Sequence, residues 1–183
     1  MEITYVPPNY VVDIQSFPPW WDEVDELIIS EIRQLIYIPE VWSLGAVKEK
    51  IFRIAIIGQA NDLSFLPYSL KKLVIDKQEN VNLYTIPKLP YLKSLTVSEC
   101  KVKELGWMTN RTIEELYLQE NELTDISLLN GLNLKKLNLR PNQITDLSPI
   151  RNMNLTFLSA SANRIRKIDF LIKSLVELDL SSN

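Results

Sequence analysis

Histidine is absent from the 183 residues, cysteine occurs once and glycine four times, and each shortage removes a class of chemistry. Without histidine the commonest metal ligand and the commonest general base are missing, so zinc sites and histidine-based triads are excluded. The lone thiol, Cys100, cannot close an internal disulfide, and folding is expected to need neither bridges nor metal. Gly45, Gly58, Gly106 and Gly131 are too scattered to form a phosphate-cradling loop, so no nucleotide motif is present. No apolar run reaches the 18 or more residues of a membrane span, and the best short run, 51–58, is broken by Arg53. Glu2 and the prolines at 7 and 8 stand where a secretory signal needs basic residues and an apolar run, so the chain is expected to be intracellular, cytoplasmic or nuclear. Positive charge is not in excess either: 20 Lys and Arg against 23 Asp and Glu give a formal net charge of -3. That balance supplies no electrostatic reason to bind nucleic acid or an anionic membrane.

The 46% hydrophobic and 23% charged composition is that of a globular chain, long enough for one domain with a small cap. Its organisation is a repeat. Leu92-x-x-Leu95-x-Val97 recurs with a 21-residue period as Ile113-x-x-Leu116-x-Leu118, Leu134-x-x-Leu137-x-Leu139 and Leu155-x-x-Leu158-x-Ala160, and a further copy, Leu175-x-x-Leu178-x-Leu180, follows after 20. The ninth position of each copy is Cys100, Asn121, Asn142, Asn163 and Asn183. Aliphatic residues follow at Val102, Leu123, Ile144 and Ile165, then at Leu105, Ile126, Leu147 and Ile168, and then at Met108, Leu129, Ile150 and Leu171.

Alternation at positions one, four and six predicts a strand with those side chains inward and the intervening ones outward on a parallel sheet. One repeat cannot bury its apolar side alone, so neighbours must stack. Asn at position nine sits where the chain leaves the strand, and its amide can serve backbone groups that no strand partner reaches. A structural ladder of Cys100, Asn121, Asn142, Asn163 and Asn183 is expected. Ser127, and Ser148 followed by Pro149, suit the cap and first position of a short helix or turn on the opposite side.

With its L-x-x-L-x-L-x-x-N/C-x-L spacing the chain resembles leucine-rich repeat proteins, and Ile-Thr-Asp-Leu-Ser-Pro-Ile at 144–150 is similar to the short internalin-like and phosphatase-regulatory-subunit-like subclass. The resemblance implies an α/β-type solenoid, a right-handed superhelix with a concave parallel sheet and short helices or turns on the convex side. It also implies that a protein partner is held on the concave face, with no catalysis and no cofactor.

Toward the N-terminus the pattern degrades. Leu70-x-x-Leu73-x-Ile75 and Ile51-x-x-Ile54-x-Ile56 keep the strand template, but Gln78 and Gln59 break the Asn column. Further back, Val24-x-x-Leu27-x-Ile29 and Ile32-x-x-Leu35-x-Tyr37 compete for the first strand. The expected layout is an irregular cap over 1–31 containing Trp20-Trp21, degenerate repeats over 32–91, and regular repeats over 92–183. The chain stops at Asn183 directly after a strand, which is expected to mean a truncated array or an open edge that pairs with another copy.

Stacking aligns outward positions into columns about 4.8 Å apart. The second column reads Lys71, Lys93, Glu114, Lys135, Thr156, and the third Lys72, Ser94, Glu115, Lys136, Phe157. The fifth reads Val74, Thr96, Tyr117, Asn138, Ser159, Asp179, and the seventh Asp76, Ser98, Gln119, Arg140, Ser161. The Lys–Glu alternation predicts cross-strand ion pairs. Tyr117, Arg140 and Phe157, together with Glu115, Gln119 and Asn138, are the candidate partner-binding residues, because Tyr and Arg are typical interface anchors. An alternative assigns 1–50 to docking on a larger complex, as in ubiquitin-ligase substrate receptors or phosphatase regulation, although no box motif is recognisable there. Enzymatic use of the carboxylates has little support, since Glu114 and Glu115 are adjacent on a strand and face differently. The sequons at Asn110 and Asn154 read as chance matches in an Asn-rich chain.

Overall fold

The computed structural model describes residues 62–64, 66, 68, 70–108, 112–170 and 172–183, with the backbone of 26–30 and 54–57. Six short strands follow one another in chain order across a parallel sheet. They are β3 (Lys72–Asp76), β4 (Ser94–Ser98), β5 (Glu115–Tyr117), β6 (Lys136–Asn138), β7 (Phe157–Ser159) and β8 (Glu177–Asp179). Two more, β1 (Glu26–Ser30) and β2 (Ile54–Ile57), extend the same sheet beyond β3. The register follows the sequence template: Leu73, Leu95, Leu116, Leu137, Leu158 and Leu178 are successive partners.

Stacking buries the positions that alternation assigns inward. Leu70, Leu92, Ile113, Leu134 and Leu155 at position one are fully buried, as are Ile75, Val97, Leu118, Leu139 and Ala160 at position six. The strands are short because the eighth position turns the chain out of the sheet. Lys77, Glu99, Glu120, Ala162 and Ser182 all occupy it with positive φ, between 51° and 59°. Pro141 is the exception in this column, since its ring locks φ negative. On the convex side the return segments include short 3-10 turns at Leu83–Thr85, Ser127–Leu129 and Ser148–Ile150. Among the described residues no helix is long and apolar enough to cross a membrane.

Four expectations change. β1 falls at 26–30, inside the segment read as an irregular cap, and its register places Leu27 at position four and Ile29 at position six. That is the 24–29 template, while the competing 32–37, Trp20-Trp21 and Gln59 lie outside the described residues. β1 also sits between β2 and β3, so the sheet runs β2-β1-β3 and spatial order departs from chain order at that edge. Parallel pairing needs matching register and apolar faces, and Leu27, Ile54 and Leu73 meet it in either order. The third change is Ile168, which is exposed. Val176, just before β8, and Leu178 on β8 are likewise open. The fourth concerns the turns at Ser127–Leu129 and Ser148–Ile150, which are held by an aspartate two residues before the serine. Asp146 accepts the Ser148 N–H at 2.7 Å and its hydroxyl at 2.6 Å, and Asp125 does the same for Ser127 at 2.7 and 2.9 Å. These bonds hold the Asp146 carboxyl below its usual range.

Candidate functional site

The concave face is made rigid from beneath. Asn142 is 8% exposed; its Oδ1 accepts the Leu123 N–H at 2.9 Å, and its Nδ2 donates to Leu118 O at 2.9 Å and Leu139 O at 2.8 Å. Asn121 accepts from Cys100 N and Val102 N and donates to Val97 O, Leu118 O and Gln119 O. Asn163 repeats the pattern from Ile144 N to Leu139 O and Ala160 O, and Asn183 from Ile165 N to Ala160 O and Leu180 O. Each amide therefore ties its own repeat to the one before, and Leu118 O and Leu139 O are each shared by two asparagines.

Cys100 does part of the same work, its thiol reaching Ser98 O at 3.0 Å. Burial is the main cause that pushes this thiol up to about 11, so it is a poor nucleophile. Gln78, read as a break in the column, is in fact buried, and its Nε2 reaches Asp76 O at 3.4 Å. One extra methylene relative to Asn still lets it serve its own turn.

Above this frame lie the outward columns. Glu114 bridges Lys93 at 2.8 Å and Lys135 on its other side, and Glu115 pairs with Lys136 at 2.8 Å. Hydrogen bonds from Lys135 and Lys93 draw the Glu114 carboxyl down to about 2. These are the cross-strand pairs the alternating charges predict, and they leave Glu115 already engaged.

Of the six candidate residues, Glu115 and Tyr117 lie on β5, Asn138 on β6 and Phe157 on β7, with Gln119 and Arg140 two residues past the ends of β5 and β6. Tyr117 is in register with Asn138, and Glu115 with Lys136 and Phe157. Tyr117, Asn138, Phe157 and Gln119 are half-buried, while Arg140 is exposed. Asn138 Oδ1 accepts the Arg140 N–H at 3.2 Å, which pins the chain where the guanidinium departs. Burial, then the charge of Glu115, raises the Tyr117 phenol above its ordinary value. Among the described residues no cluster of metal-binding side chains is present. The patch can offer an aromatic surface, a cation and amide hydrogen bonds on a sheet tied together by the asparagine ladder.

The repeat spacing and the fold both have counterparts among known proteins. A Leucine Rich repeat family model matches residues 109–129. The chain has the fold of a leucine-rich repeat solenoid. An internalin, InlF, from Listeria monocytogenes shares the fold, with a TM-score of 0.50 at 20% identity over 89% of this chain and 68% of that one. No curated protein matches in sequence. Leucine-rich repeat folds of this kind serve as protein–protein interaction modules, and stacking gives them an extended concave surface for it.

Sequence reasoning named the large outward residues and passed over the small ones. On β4 the outward positions are Ser94, Thr96 and Ser98, of which Ser94 and Ser98 are buried. The signal was available as three hydroxyl residues in alternate positions, but small side chains draw attention only once their neighbours are known to be large. The alternative docking segment, 1–50, is described only at β1.

Proposed function

We propose that the chain is a non-catalytic binding module that holds a protein partner on the concave face, with Tyr117, Arg140 and Phe157 as anchors. The observation that carries this reading is their position together on one rigid face, half-buried or exposed. Interface hot spots are built from such Tyr and Arg side chains on pre-ordered scaffolds, where little ordering entropy is lost on binding. A catalytic reading has no comparable support: the one thiol is buried with a raised pKa, and Glu114 and Glu115 are held by lysines.

The test is affinity for a partner in the variants Tyr117→Ala and Arg140→Ala. Each should weaken binding by about 1 kcal/mol or more and leave the melting temperature nearly unchanged. Arg151 provides the control on the opposite side: it closes the Ser148–Ile150 turn and lies 6.0 Å from the Phe170 ring. Greater sensitivity to Arg151→Ala than to the concave variants would show the face to be wrongly assigned.

A further inference from the structure

Two exposed tyrosines stand together on one edge of the sheet. Tyr68 and Tyr91 are 58% and 54% exposed, and their rings meet edge to face with centroids 5.7 Å apart. Tyr68 lies four residues before Lys72, where β3 begins, and Tyr91 three before Ser94, where β4 begins, so both rings mark the edge at which the chain enters the sheet. The repeats of β5 to β8 have no counterpart in sequence: the Tyr91 position becomes Thr112, Asn133, Asn154 and Ser174, and the Tyr68 position becomes Arg111, Leu132, Met153 and Lys173. Aromatic side chains of this size gain much from cover, and the pair is confined to the repeats of β3 and β4, next to β1.

Sheet order decides what can reach them. β1 is flanked by β2 and β3, so the chain leading into it has no open strand edge to shield. β1 and β3 are parallel with Glu26 beside Lys72, so the residues before Glu26 arrive at the same edge as Tyr68 and Tyr91. Trp21 and Trp20 precede Glu26 by five and six residues, much as Tyr68 precedes Lys72 by four, and β1 lies about 4.8 Å from β3. The segment leading into β2 enters one strand further away. We propose that Pro18-Pro19-Trp20-Trp21 of this chain lies across the Tyr68–Tyr91 pair, with indole rings against the two phenol rings. Two prolines hold such a segment extended before it docks, so little chain entropy is lost, and proline-rich segments dock on aromatic surfaces. The inference is independent of the concave-face reading, since these tyrosines lie on the entry edge rather than among the outward strand positions.

The test is hydroxyl-radical footprinting of the full chain, read by mass spectrometry at each tyrosine. Trp20→Ser combined with Trp21→Ser should raise oxidation of Tyr68 and Tyr91 by about threefold or more, while Tyr84, exposed on the Leu83–Thr85 turn, stays constant. Equal rates at Tyr68 and Tyr91 in the parent and the variant would overturn the inference. A rise at Tyr84 as well would mean that the variant has lost its fold, and a second measurement that keeps both tryptophans then decides. A photoreactive phenylalanine analogue in place of Tyr91 should give an adduct within one chain, to a peptide containing Trp20 and Trp21. A crosslinked dimer would assign the tyrosines to a second copy, an adduct elsewhere in the chain would assign them to another segment, and no adduct would leave them in water; each of these overturns the inference.

Discussion

Replacing Asn142 by leucine probes what holds adjacent repeats together. The side chain is 8% exposed and makes three hydrogen bonds to backbone groups of two repeats. The losses are unequal. Leu118 O keeps Asn121 Nδ2 at 3.1 Å and Leu139 O keeps Asn163 Nδ2 at 3.0 Å, so neither carbonyl is stranded. Leu123 N–H, by contrast, loses Oδ1, and a buried orphan donor costs about 1–3 kcal/mol. Adding the weakened shared bonds, the total should be about 2–4 kcal/mol, a large fraction of the stability of a domain this size. Urea denaturation of the full chain reads the sum as a lower midpoint, and native-state hydrogen exchange reads its origin as lost protection at the Leu123 amide. Asn142→Cys should be milder than leucine, because its sulfur can still accept weakly from the Leu123 N–H. An unchanged midpoint with the Leu123 amide still protected would refute the reasoning, because it would mean the ladder carries no net free energy.

Cys100, with its thiol raised to about 11, should resist a disulfide reagent at pH 8 in the native chain and react at once in denaturant; fast native labelling would contradict its buried placement. Glu114 has its pKa depressed to about 2, so its contribution is present above the unfolded value near 4.5 and is lost as pH falls toward 2. Glu114→Gln should therefore lower the urea midpoint at pH 7, and the gap from the parent should close by pH 2. The effect should be small and shrink in high salt, because the pair is open to water. Asp146→Ala removes the acceptor for both Ser148 groups and should cost about 0.5–2 kcal/mol, read in thermal melts against Asp146→Asn as the milder change.

The solenoid was legible because its determinants are periodic. Leu116, Leu137 and Leu158 recur at a fixed spacing, and only stacked parallel strands bury all of them. The Asn column was legible for the same reason. The left-handed turn at position eight was not, because Lys77, Glu99, Glu120, Ala162 and Ser182 are not the Gly, Asn or Asp that local preference would choose. There the hydrogen bonds between stacked repeats, such as Ala162 N to Ser181 O at 2.9 Å, outweigh a local cost of about 1 kcal/mol. Strand order at the β2-β1-β3 edge was hidden too, since Leu27 and Ile54 satisfy one register and nothing in either segment says which lies next to Leu73. For the candidate site, position along the strand told which side chains face outward. Whether Glu115 was free for a partner depended on where Lys136 lay, which only the register decides.

The concave face is tested most directly by where a partner crosslinks. A photoreactive phenylalanine analogue placed at position 117, on β5, is compared with one at position 151, on the convex turn, in the full chain and at equal labelling. The concave-face account predicts one dominant adduct from 117 that fades when unlabelled chain competes, and none from 151. A competed adduct from 151 with none from 117 would contradict it.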